Sequence, residues 1–453
     1  MKVLLIQPSD RFEISLGVPP GYSQKARNYL PPLGLLYLAA HLKQRHDVRV
    51  VDLMATKRRP ESIIETLAEF QPDLIGITTV ISLWKDVLAV AGAVKRYSPG
   101  IPIAVGGANP TRYPNESLAH PEIDYVIVGT GQGPLMELCD ALENERDVTH
   151  IDNCFSKKQP HRTLGPFPKL EKLDSYPSPD RTALPPTLYS LPFCPENPTT
   201  SMMSGLGCPF KCAFCDCRLL KPVHSRSAAA VLDEIAQVCE LDIRSAIFQD
   251  ELFTLKPSRV MEICRGINER GLSLNWAVKS RVDCITHEIV EAMVGAGCFN
   301  IHFGIESGSP STLHRMRKGI TLDQVRNAVK LVKSSGITCT GNFMIGYPGE
   351  DEDDIRRSID LAQELEMNVT QFFLTVDIPG TELFDEALRN GRRKADPFRE
   401  YTLNPESECL SNLYSSDKYS ESRLFTFLEE AYASVRSLYD LKDGQNEQIW
   451  ADM

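Results

Sequence analysis

The chain has 453 residues, of which 42% are hydrophobic, and a formal net charge of −11 at pH 7. This length predicts two to four domains, and the acidic balance argues against duplex nucleic acid as a partner, since phosphate neutralisation needs clustered Lys and Arg. No apolar run reaches the roughly 18 residues that cross a bilayer. An odd number of cysteines, 13 in all, is typical of a reducing compartment, so we expect a cytoplasmic protein.

Residues 1–150 alternate short β-branched runs with amphipathic helical patterns, which predicts an α/β domain with a flavodoxin-like, Rossmann-type parallel sheet. The predicted strands are Val3–Ile6, Val48–Val51, Leu74–Thr78, Ile103–Val105 and Tyr125–Val128. Ligands of such sheets bind beyond the carboxyl ends of the strands. Small residues at that edge let a large planar ligand approach the backbone: Thr78, Thr79, Gly106, Gly107, Gly129 and Gly131.

Residues 151–198 are rich in proline and lose periodicity, which indicates a linker. A second βα series follows in residues 199–400 and predicts a partial (βα)6 barrel, whose functional groups gather at the carboxyl ends of its strands. Its predicted strands are Thr200–Ser204, Ser245–Gln249, Ser273–Val278, Asn300–Gly304, Thr338–Met344 and Thr370–Thr375. Residues 401–453 are expected to form a small helical C-terminal cap.

Three cysteines, Cys208, Cys212 and Cys215, follow the first predicted barrel strand. Thiolates are soft ligands, and three at this spacing hold an iron-sulfur cluster while one iron stays free of protein ligands. A structural zinc is the alternative, but it needs four protein ligands, and Cys217 lies too close to Cys215 for a usual CxxC pair.

This CxxxCxxC loop, with Phe214 just before its last cysteine, resembles that of the radical S-adenosylmethionine (SAM) enzymes. In that family the open iron of a [4Fe-4S] cluster chelates SAM, and an electron from the cluster cleaves SAM to a 5′-deoxyadenosyl radical. The radical abstracts hydrogen from an unactivated carbon. The resemblance therefore implies an enzyme with a small-molecule substrate and an electron donor such as flavodoxin or ferredoxin.

The same resemblance implies SAM contacts at the ends of the barrel strands. Asp250 and Glu251 end the second strand, where a helix N-cap is the alternative role for Asp250. Arg281 ends the third strand and suits the SAM carboxylate, although a salt bridge to Asp283 is the competing interpretation. The predicted SAM residues are Phe214, Asp250, Glu251, Arg281, Glu306 and Ser307.

The turn from Gly341 to Glu350 is expected near the adenine of SAM, or else it is required only by backbone geometry. The side chains of His302, Cys264, Cys298 and Cys339 fall within predicted strands or helices and are expected to be core residues.

The order of the domains, with a flavodoxin-like domain before the barrel, resembles that of the cobalamin-dependent branch of the family. The stretches Tyr29–Ala40 and Pro72–Thr78 carry this likeness. The chain has no Asp-x-His-x-x-Gly motif, which implies cobalamin without a histidine ligand. One departure is Gly129–Gly133, where Gly-Thr-Gly-Gln-Gly stands in place of the Gly-Glu-Gly-Glu of many relatives. That departure leaves open a vestigial domain that only supports the barrel.

The resemblance thus implies cobalamin-dependent C-methylation of a small metabolite. The alternative is a cobalamin-independent radical dehydration, deoxygenation or rearrangement, for example of a sugar diol. A non-catalytic cobalamin or iron-sulfur carrier is disfavoured because Cys208, Cys212, Cys215, Asp250 and Glu306 all fall at predicted strand ends. Transfer-RNA methylthiotransferases share the barrel motifs but carry three more cluster cysteines at the N-terminus. This alternative is set aside because no cysteine of this chain precedes Cys139. The substrate has no sequence motif.

Overall fold

The computed structural model describes residues 1–12, 30–159, 172–219, 222–407, 409–410 and 413–435. These residues fall into two compact units. Unit 1 contains the described residues of 1–12, 31–188 and 396–410. Unit 2 contains residue 30 and the described residues of 189–395 and 413–435.

Unit 1 is built on a six-stranded sheet in the order β2-β1-β3-β4-β5-β6. Its first five strands are parallel and the sixth is antiparallel. The strands are β1 Lys2–Gln7, β2 Asp47–Asp52, β3 Leu74–Thr79, β4 Ile103–Gly107, β5 Tyr125–Ile127 and β6 Cys154–Ser156. The five parallel strands confirm the predicted flavodoxin-like sheet, whereas β6 was not predicted.

Helices cover both faces of this sheet, as parallel sheets require. They are α1 Leu33–Leu42, α2 Ile63–Phe70, α3 Trp84–Tyr97, α4 Ala108–Arg112, α5 Pro114–Leu118 and α6 Gln132–Glu143. Helix α3 and strand β3 share one hydrophobic core. The fully buried side chains of Trp84, Val87 and Val90 on α3 lie in it together with Ile75 and Ile77 of β3.

Unit 2 is built on six parallel strands in the order β14-β13-β12-β11-β10-β7, and a separate two-stranded ribbon pairs β8 with β9. The six strands confirm the predicted partial barrel. The strands are β7 Thr199–Met202, β8 Gly205–Leu206, β9 His224–Ser225, β10 Ser245–Phe248, β11 Asn275–Ser280, β12 Cys298–Glu306, β13 Thr338–Ile345 and β14 Val369–Leu374.

Seven of the eight α-helices described in unit 2 begin at short polar side chains that accept a hydrogen bond from a free backbone N–H of the first turn, whereas the helix Pro257–Glu269 begins with a proline. Such caps are Ser227, Thr286, Ser309, Thr321, Asp351, Thr381 and Ser420. The helices are α7 Ala228–Glu240, α8 Pro257–Glu269, α9 His287–Gly295, α10 Pro310–Arg315, α11 Leu322–Ser334, α12 Glu352–Leu365 and α13 Glu382–Arg389, followed by α15 Glu421–Ser434.

Residues after 395 divide between the units, so the boundaries differ from the predicted cap at 401–453. Helix α14, Pro397–Leu403, belongs to unit 1, where the Thr402 carbonyl accepts a hydrogen bond from the Trp84 indole at 2.9 Å. Helix α15 packs on unit 2, where the Tyr432 hydroxyl donates to the Phe372 carbonyl at 2.6 Å. None of the described helices is long and apolar enough to cross a membrane.

The predicted linker also divides. Residues 172–188 belong to unit 1 and residues 189–198 to unit 2. In unit 2, Leu191 and Cys194 are buried against Ala277 and Phe299. This segment therefore supplies apolar side chains to the barrel rather than only connecting two domains.

Candidate active site

The cysteine loop is fixed by backbone hydrogen bonds to two neighbouring segments. Ala213 donates its N–H to the Met316 carbonyl at 2.9 Å and accepts from the Leu383 N–H at 2.9 Å. Within the loop, the Cys215 N–H donates to the Cys212 carbonyl at 3.2 Å. A loop held in this way keeps its sulfurs in place before any ligand binds.

The three predicted ligands, Cys208, Cys212 and Cys215, are half-buried and carry free thiols. Their sulfurs do not all lie within 4.8 Å of one another. Ligands about 2.3 Å from one tetrahedral zinc ion would lie about 3.8 Å apart. The arrangement therefore fits a larger group with several metal ions, such as an iron-sulfur cluster, better than a single zinc ion.

Cys217 acts on Cys215 rather than completing a zinc site. A hydrogen bond from the Cys217 thiol lowers the pKa of Cys215 to about 7, while burial raises the pKa values of Cys208 and Cys212. The thiolate is the form that binds metal, so Cys215 is the most readily ionised of the three ligands.

Arg281 lies against the cysteine loop and is held by several partners. Its guanidinium makes two 2.9 Å hydrogen bonds to the Asp283 carboxylate and one of 2.8 Å to the Lys318 carbonyl. It stacks on the Phe210 ring at 3.7 Å, and its Nη1 lies 3.9 Å from the Cys212 sulfur. The structure thus shows the competing salt bridge to Asp283, and the contact of Arg281 with SAM stays a prediction.

Glu306 ends β12 in a left-handed backbone conformation, with φ of 73°. A bulge interrupts the β12–β13 pairing between Gly304 and Glu306. The buried Glu306 carboxylate accepts a 2.7 Å hydrogen bond from Lys318 Nζ. Such a conformation costs a non-glycine residue about 1–3 kcal/mol, and strain of this kind clusters at functional sites.

Gly304 makes the Glu306–Lys318 pair possible. A Cβ atom at this position would lie 2.4 Å from Glu306 Oε1 and 2.9 Å from Lys318 Nζ. The pair therefore crosses the space that any larger residue at 304 would fill.

Lys318 is the residue that the sequence analysis missed. It is buried, its Nζ lies 6.0 Å from the Phe214 ring, and its charge favours ionisation of Cys212 and Cys215. The available signal was a lysine before Gly319 in the segment after Glu306. Sequence spacing does not reveal that this side chain turns back to the strand end.

Asp250 and Glu251 hold the start of the cysteine loop. Asp250 is buried, and its two oxygens accept from the Ser204 N–H at 2.7 Å and the Ser204 hydroxyl at 2.6 Å. Burial raises its pKa to about 6. Glu251 accepts from the Gly207 N–H at 2.9 Å. Asp250 is thus neither a helix cap nor an open ligand here, and its SAM contact stays a prediction.

The other two predicted SAM residues differ in their surroundings. Phe214 packs beside Met316, Tyr347 and Leu383 at the edge of a small apolar cluster. Ser307 is fully buried, and its hydroxyl lies 3.1 Å from the Ser358 hydroxyl and accepts from the Ser309 N–H at 3.1 Å. Ser307 therefore joins the strand end to α12 and does not face open space.

The turn after β13 is organised by Glu350. Its buried carboxylate accepts from the N–H groups of Gly346 and Tyr347 at 2.8 and 2.9 Å. Gly346 and Gly349 both have φ of 82°, so backbone geometry requires them. The structure therefore supports the geometric role of this turn, and proximity to adenine stays a prediction.

The carboxyl edge of the unit 1 sheet carries the residues predicted to face cobalamin. Gly107 has φ of 107° and a Cβ there would meet the Thr79 carbonyl at 2.3 Å, so packing alone requires this glycine. Gly129 has φ of 76° and donates its N–H to the Thr111 hydroxyl at 2.9 Å.

Other small residues at the same edge are not required by packing. A Cβ on Gly106 would make only ordinary contacts at 3.6 Å or more, and a Cβ on Gly133 would meet nothing within 4 Å. These glycines, next to the half-exposed Thr78 and Gly131, leave an uncharged and uncrowded edge. Such a surface fits the flat face of a corrin.

Both halves of the chain match known domain families. The B12 binding domain matches residues 21–139, and the radical SAM superfamily matches residues 202–362. The chain therefore belongs to the radical SAM enzymes that carry a B12-binding domain, as the sequence predicted. Its cofactors are those of these two domains: a [4Fe-4S] cluster, SAM and cobalamin.

An uncharacterized methyltransferase of Pyrococcus horikoshii is 31% identical over 409 residues, which cover 89% of this chain and 87% of that protein. The anaerobic magnesium-protoporphyrin IX monomethyl ester cyclase of Rubrivivax gelatinosus is 25% identical and covers 85% of this chain and 70% of its own length. Among solved structures, the radical SAM methyltransferase TsrM from Kitasatospora setae superposes with a TM-score of 0.71 at 20% identity, over 86% of this chain and 78% of TsrM. That likeness confirms the fold.

Proposed function

We propose that the protein is a cobalamin-dependent radical SAM methyltransferase that methylates an unactivated carbon of a small metabolite. One observation carries the proposal: a three-cysteine loop fixed at the carboxyl ends of the barrel strands occurs in the same chain as a B12-binding domain. The methyltransferase relative from Pyrococcus horikoshii supports methyl transfer as the outcome.

When bound, the cluster and SAM supply a 5′-deoxyadenosyl radical, and cobalamin supplies the methyl group. The chain's own residues prepare that site. Cys208, Cys212 and Cys215 offer three thiolates. Arg281 and Lys318 place two positive charges beside Cys212, which stabilises the negative charge of the thiolates.

Glu306 and Lys318 form the polar wall next to the cysteine loop. The paired carboxylate and ammonium offer both an acceptor and a donor, which suits the amino and carboxylate groups of SAM. Phe214 adds an apolar surface on the same side. Arg281, Asp250 and Glu251 hold the loop in position, because their hydrogen bonds end on protein groups.

The radical dehydration alternative has less support. It was motivated by Gly129–Gly133, yet that segment lies within the residues that match the B12 binding domain. A flavodoxin or ferredoxin is proposed as the electron donor, and a reducing cytoplasm as the location. TsrM has been solved with its tryptophan substrate, and a small metabolite is proposed for this chain as well.

The test starts from protein purified without oxygen, reconstituted with iron and sulfide, and incubated with cobalamin before the excess is removed. We expect retained corrin absorption beside the cluster absorption, and formation of 5′-deoxyadenosine and S-adenosylhomocysteine when SAM and a reductant are added. Replacing Cys208, Cys212 and Cys215 together by Ala should abolish the cluster and the formation of 5′-deoxyadenosine.

The matched control is Cys239→Ala, because the half-buried Cys239 lies on α7, where its thiol donates to the Ser273 carbonyl at 3.5 Å. This variant should keep the cluster. Cleavage of SAM by the triple variant would overturn the radical SAM assignment. Wild-type protein that cleaves SAM but retains no corrin and forms no S-adenosylhomocysteine would overturn the methyltransferase assignment.

A further inference from the structure

The imidazole of His46 is buried at the amino ends of the unit 1 strands, opposite the edge where cobalamin is proposed to lie. His46 directly precedes β2, and its N–H donates to the Leu42 carbonyl at 2.9 Å. Only 1% of its side chain is exposed, and its Nε2 has no hydrogen-bond partner among the residues that the structure describes. Buried polar atoms are nearly always satisfied, which indicates that something else binds this nitrogen.

Two carboxylates face the same imidazole. Asp140 and Glu143 lie in the last turn of α6, which contains no basic residue. Asp140 Oδ1 is 3.5 Å from His46 Nε2, and Glu143 Oε2 is 3.8 Å from His46 Nδ1. One ligand atom of each of the three residues lies within 4.8 Å of the other two. Because the C-terminal end of a helix carries a partial negative charge, two carboxylates there favour a bound cation.

The distance between His46 Nε2 and Asp140 Oδ1 suits two ligands of one metal ion. It exceeds the range of about 2.7–3.2 Å in which an N–H group donates to oxygen. Zinc lies about 2.1 Å from histidine nitrogen and from carboxylate oxygen, so two ligands of a tetrahedral zinc ion are about 3.4 Å apart. A metal ion also lies closer to its ligands than a hydrogen-bonded water does, so it needs less space beside a buried nitrogen.

Two protein cations bind the other oxygens of these carboxylates. Arg45 Nη1 lies 2.6 Å from Asp140 Oδ2, and the Met1 ammonium lies 2.8 Å from Glu143 Oε1 and 3.4 Å from His46 Nδ1. Burial lowers the pKa of His46 and the Met1 charge lowers it further, although Glu143 and Asp140 oppose both effects. The neutral imidazole that results is the form that binds metal.

We propose that His46 Nε2, Asp140 Oδ1 and a carboxylate oxygen of Glu143 bind a divalent transition-metal ion such as Zn²⁺, with water completing its coordination. Imidazole is a good ligand for zinc, and both carboxylates are partly exposed, so water reaches the remaining positions. The ion ties the turn before β2 to the end of α6. Its role is structural and does not depend on the proposed function.

The test measures Zn²⁺ binding to the cluster-loaded protein by isothermal titration calorimetry without oxygen, because the cluster keeps Zn²⁺ from the cysteine loop. We expect the wild type to bind one more equivalent of Zn²⁺ than His46→Gln. Asp140→Asn should bind that ion roughly tenfold more weakly or worse, because loss of even an outer partner of a metal ligand costs about 10–100-fold in affinity.

His287→Gln is the matched control. His287 of α9 also has a carboxylate beside its ring, with Glu291 Oε2 3.8 Å from Nδ1, but both side chains are 77% exposed. This variant should bind Zn²⁺ as the wild type does. Zn²⁺ should also raise the temperature at which the wild type unfolds, but not that of His46→Gln, because a ligand of the folded state stabilises it.

Arg45→Met keeps the test decisive if the buried His46→Gln variant fails to fold. The Arg45 side chain is 63% exposed, so its replacement leaves the core intact and frees Asp140 from a competing cation. We expect Zn²⁺ affinity to rise by roughly twofold to fivefold, the effect of one exposed ion pair.

Equal Zn²⁺ stoichiometry and affinity in the wild type, His46→Gln and Asp140→Asn would overturn the proposal, because other groups such as free thiols would then hold the ion. Unchanged or weaker binding by Arg45→Met would overturn it as well, since Asp140 would then not be a ligand.

Discussion

Glu306 and Lys318 form a buried ion pair in which Lys318 Nζ lies 2.7 Å from Glu306 Oε1, at a strand end where Glu306 adopts a φ of 73°. The pair depends on Gly304, whose missing side chain leaves the space that the two groups cross. The charge of Lys318 also favours the thiolate of Cys212. One ion pair thus joins the barrel strand to the metal-binding loop.

Breaking this pair should destabilise the protein and abolish SAM cleavage. Lys318→Met leaves an unpaired buried carboxylate, which typically costs about 3–5 kcal/mol. The double variant Glu306→Gln with Lys318→Met should recover much of the unfolding free energy, because it removes both charges, yet remain inactive. Urea unfolding and 5′-deoxyadenosine formation measure the two effects.

The control is Arg270→Met, which breaks an exposed ion pair with Asp233. Surface pairs contribute about 0–1 kcal/mol, so this variant should keep both stability and activity. An active double variant would show that the pair serves only stability.

Arg281→Lys tests whether Arg281 positions the loop or binds SAM. Lysine cannot make the paired hydrogen bonds to Asp283 or stack on Phe210, so we expect lower iron content and faster loss of the cluster in air. The Kd for SAM, measured on the fraction that retains the cluster, should stay within about threefold of the wild type. A variant with full iron content but much weaker SAM binding would show that Arg281 is a SAM ligand.

The strand pattern of both units was predictable, because buried parallel strands are continuous β-branched and apolar runs. The strand Cys154–Ser156 was missed because three residues carry no recognisable period. The placement of Pro397–Leu403 in unit 1 was also missed. It depends on contacts with Trp84, 318 residues away in sequence, that no local pattern encodes.

The positions of the site residues at the strand ends were predictable from the sequence, but the role of each residue was not. Residue type and spacing pointed to the three cysteines, Glu306 and Asp250. Whether a carboxylate is open or already bonded depends on its neighbours in space, and both oxygens of Asp250 are bonded to Ser204. The same limit hid Lys318.

Gly106→Phe should block cobalamin without disturbing the cluster. A Cβ at Gly106 is tolerated, so the added ring extends over the carboxyl edge of the sheet, where a corrin is proposed to lie. We expect corrin absorption of the reconstituted protein to fall at least tenfold while the iron content stays the same. Gly100→Phe is the control, because Gly100 is exposed on a loop with nothing within 4 Å of its Cβ position. Corrin retention by Gly106→Phe would remove this edge from the cobalamin site.

Glu350 should make unit 2 less stable as the pH rises. Burial raises its pKa from 4.5 to about 7, although hydrogen bonds from Tyr347 and Gly346 oppose the shift. Between these two values the folded protein keeps a proton that the unfolded chain has lost, so the unfolding free energy falls as pH rises. A shift of this size corresponds to about 3 kcal/mol.

Glu350→Gln removes the titrating group, so its unfolding free energy relative to the wild type should increase by about 3 kcal/mol between pH 4.5 and pH 7.5. Urea unfolding at both pH values measures this difference. Glu288→Gln, at an exposed glutamate of α9, should show no such change. Equal pH dependence in the wild type and Glu350→Gln would mean that Glu350 has the same pKa in the folded and the unfolded protein. Its two backbone hydrogen bonds would then offset the effect of burial, and the group would be an ionised carboxylate beneath the turn at pH 7.5.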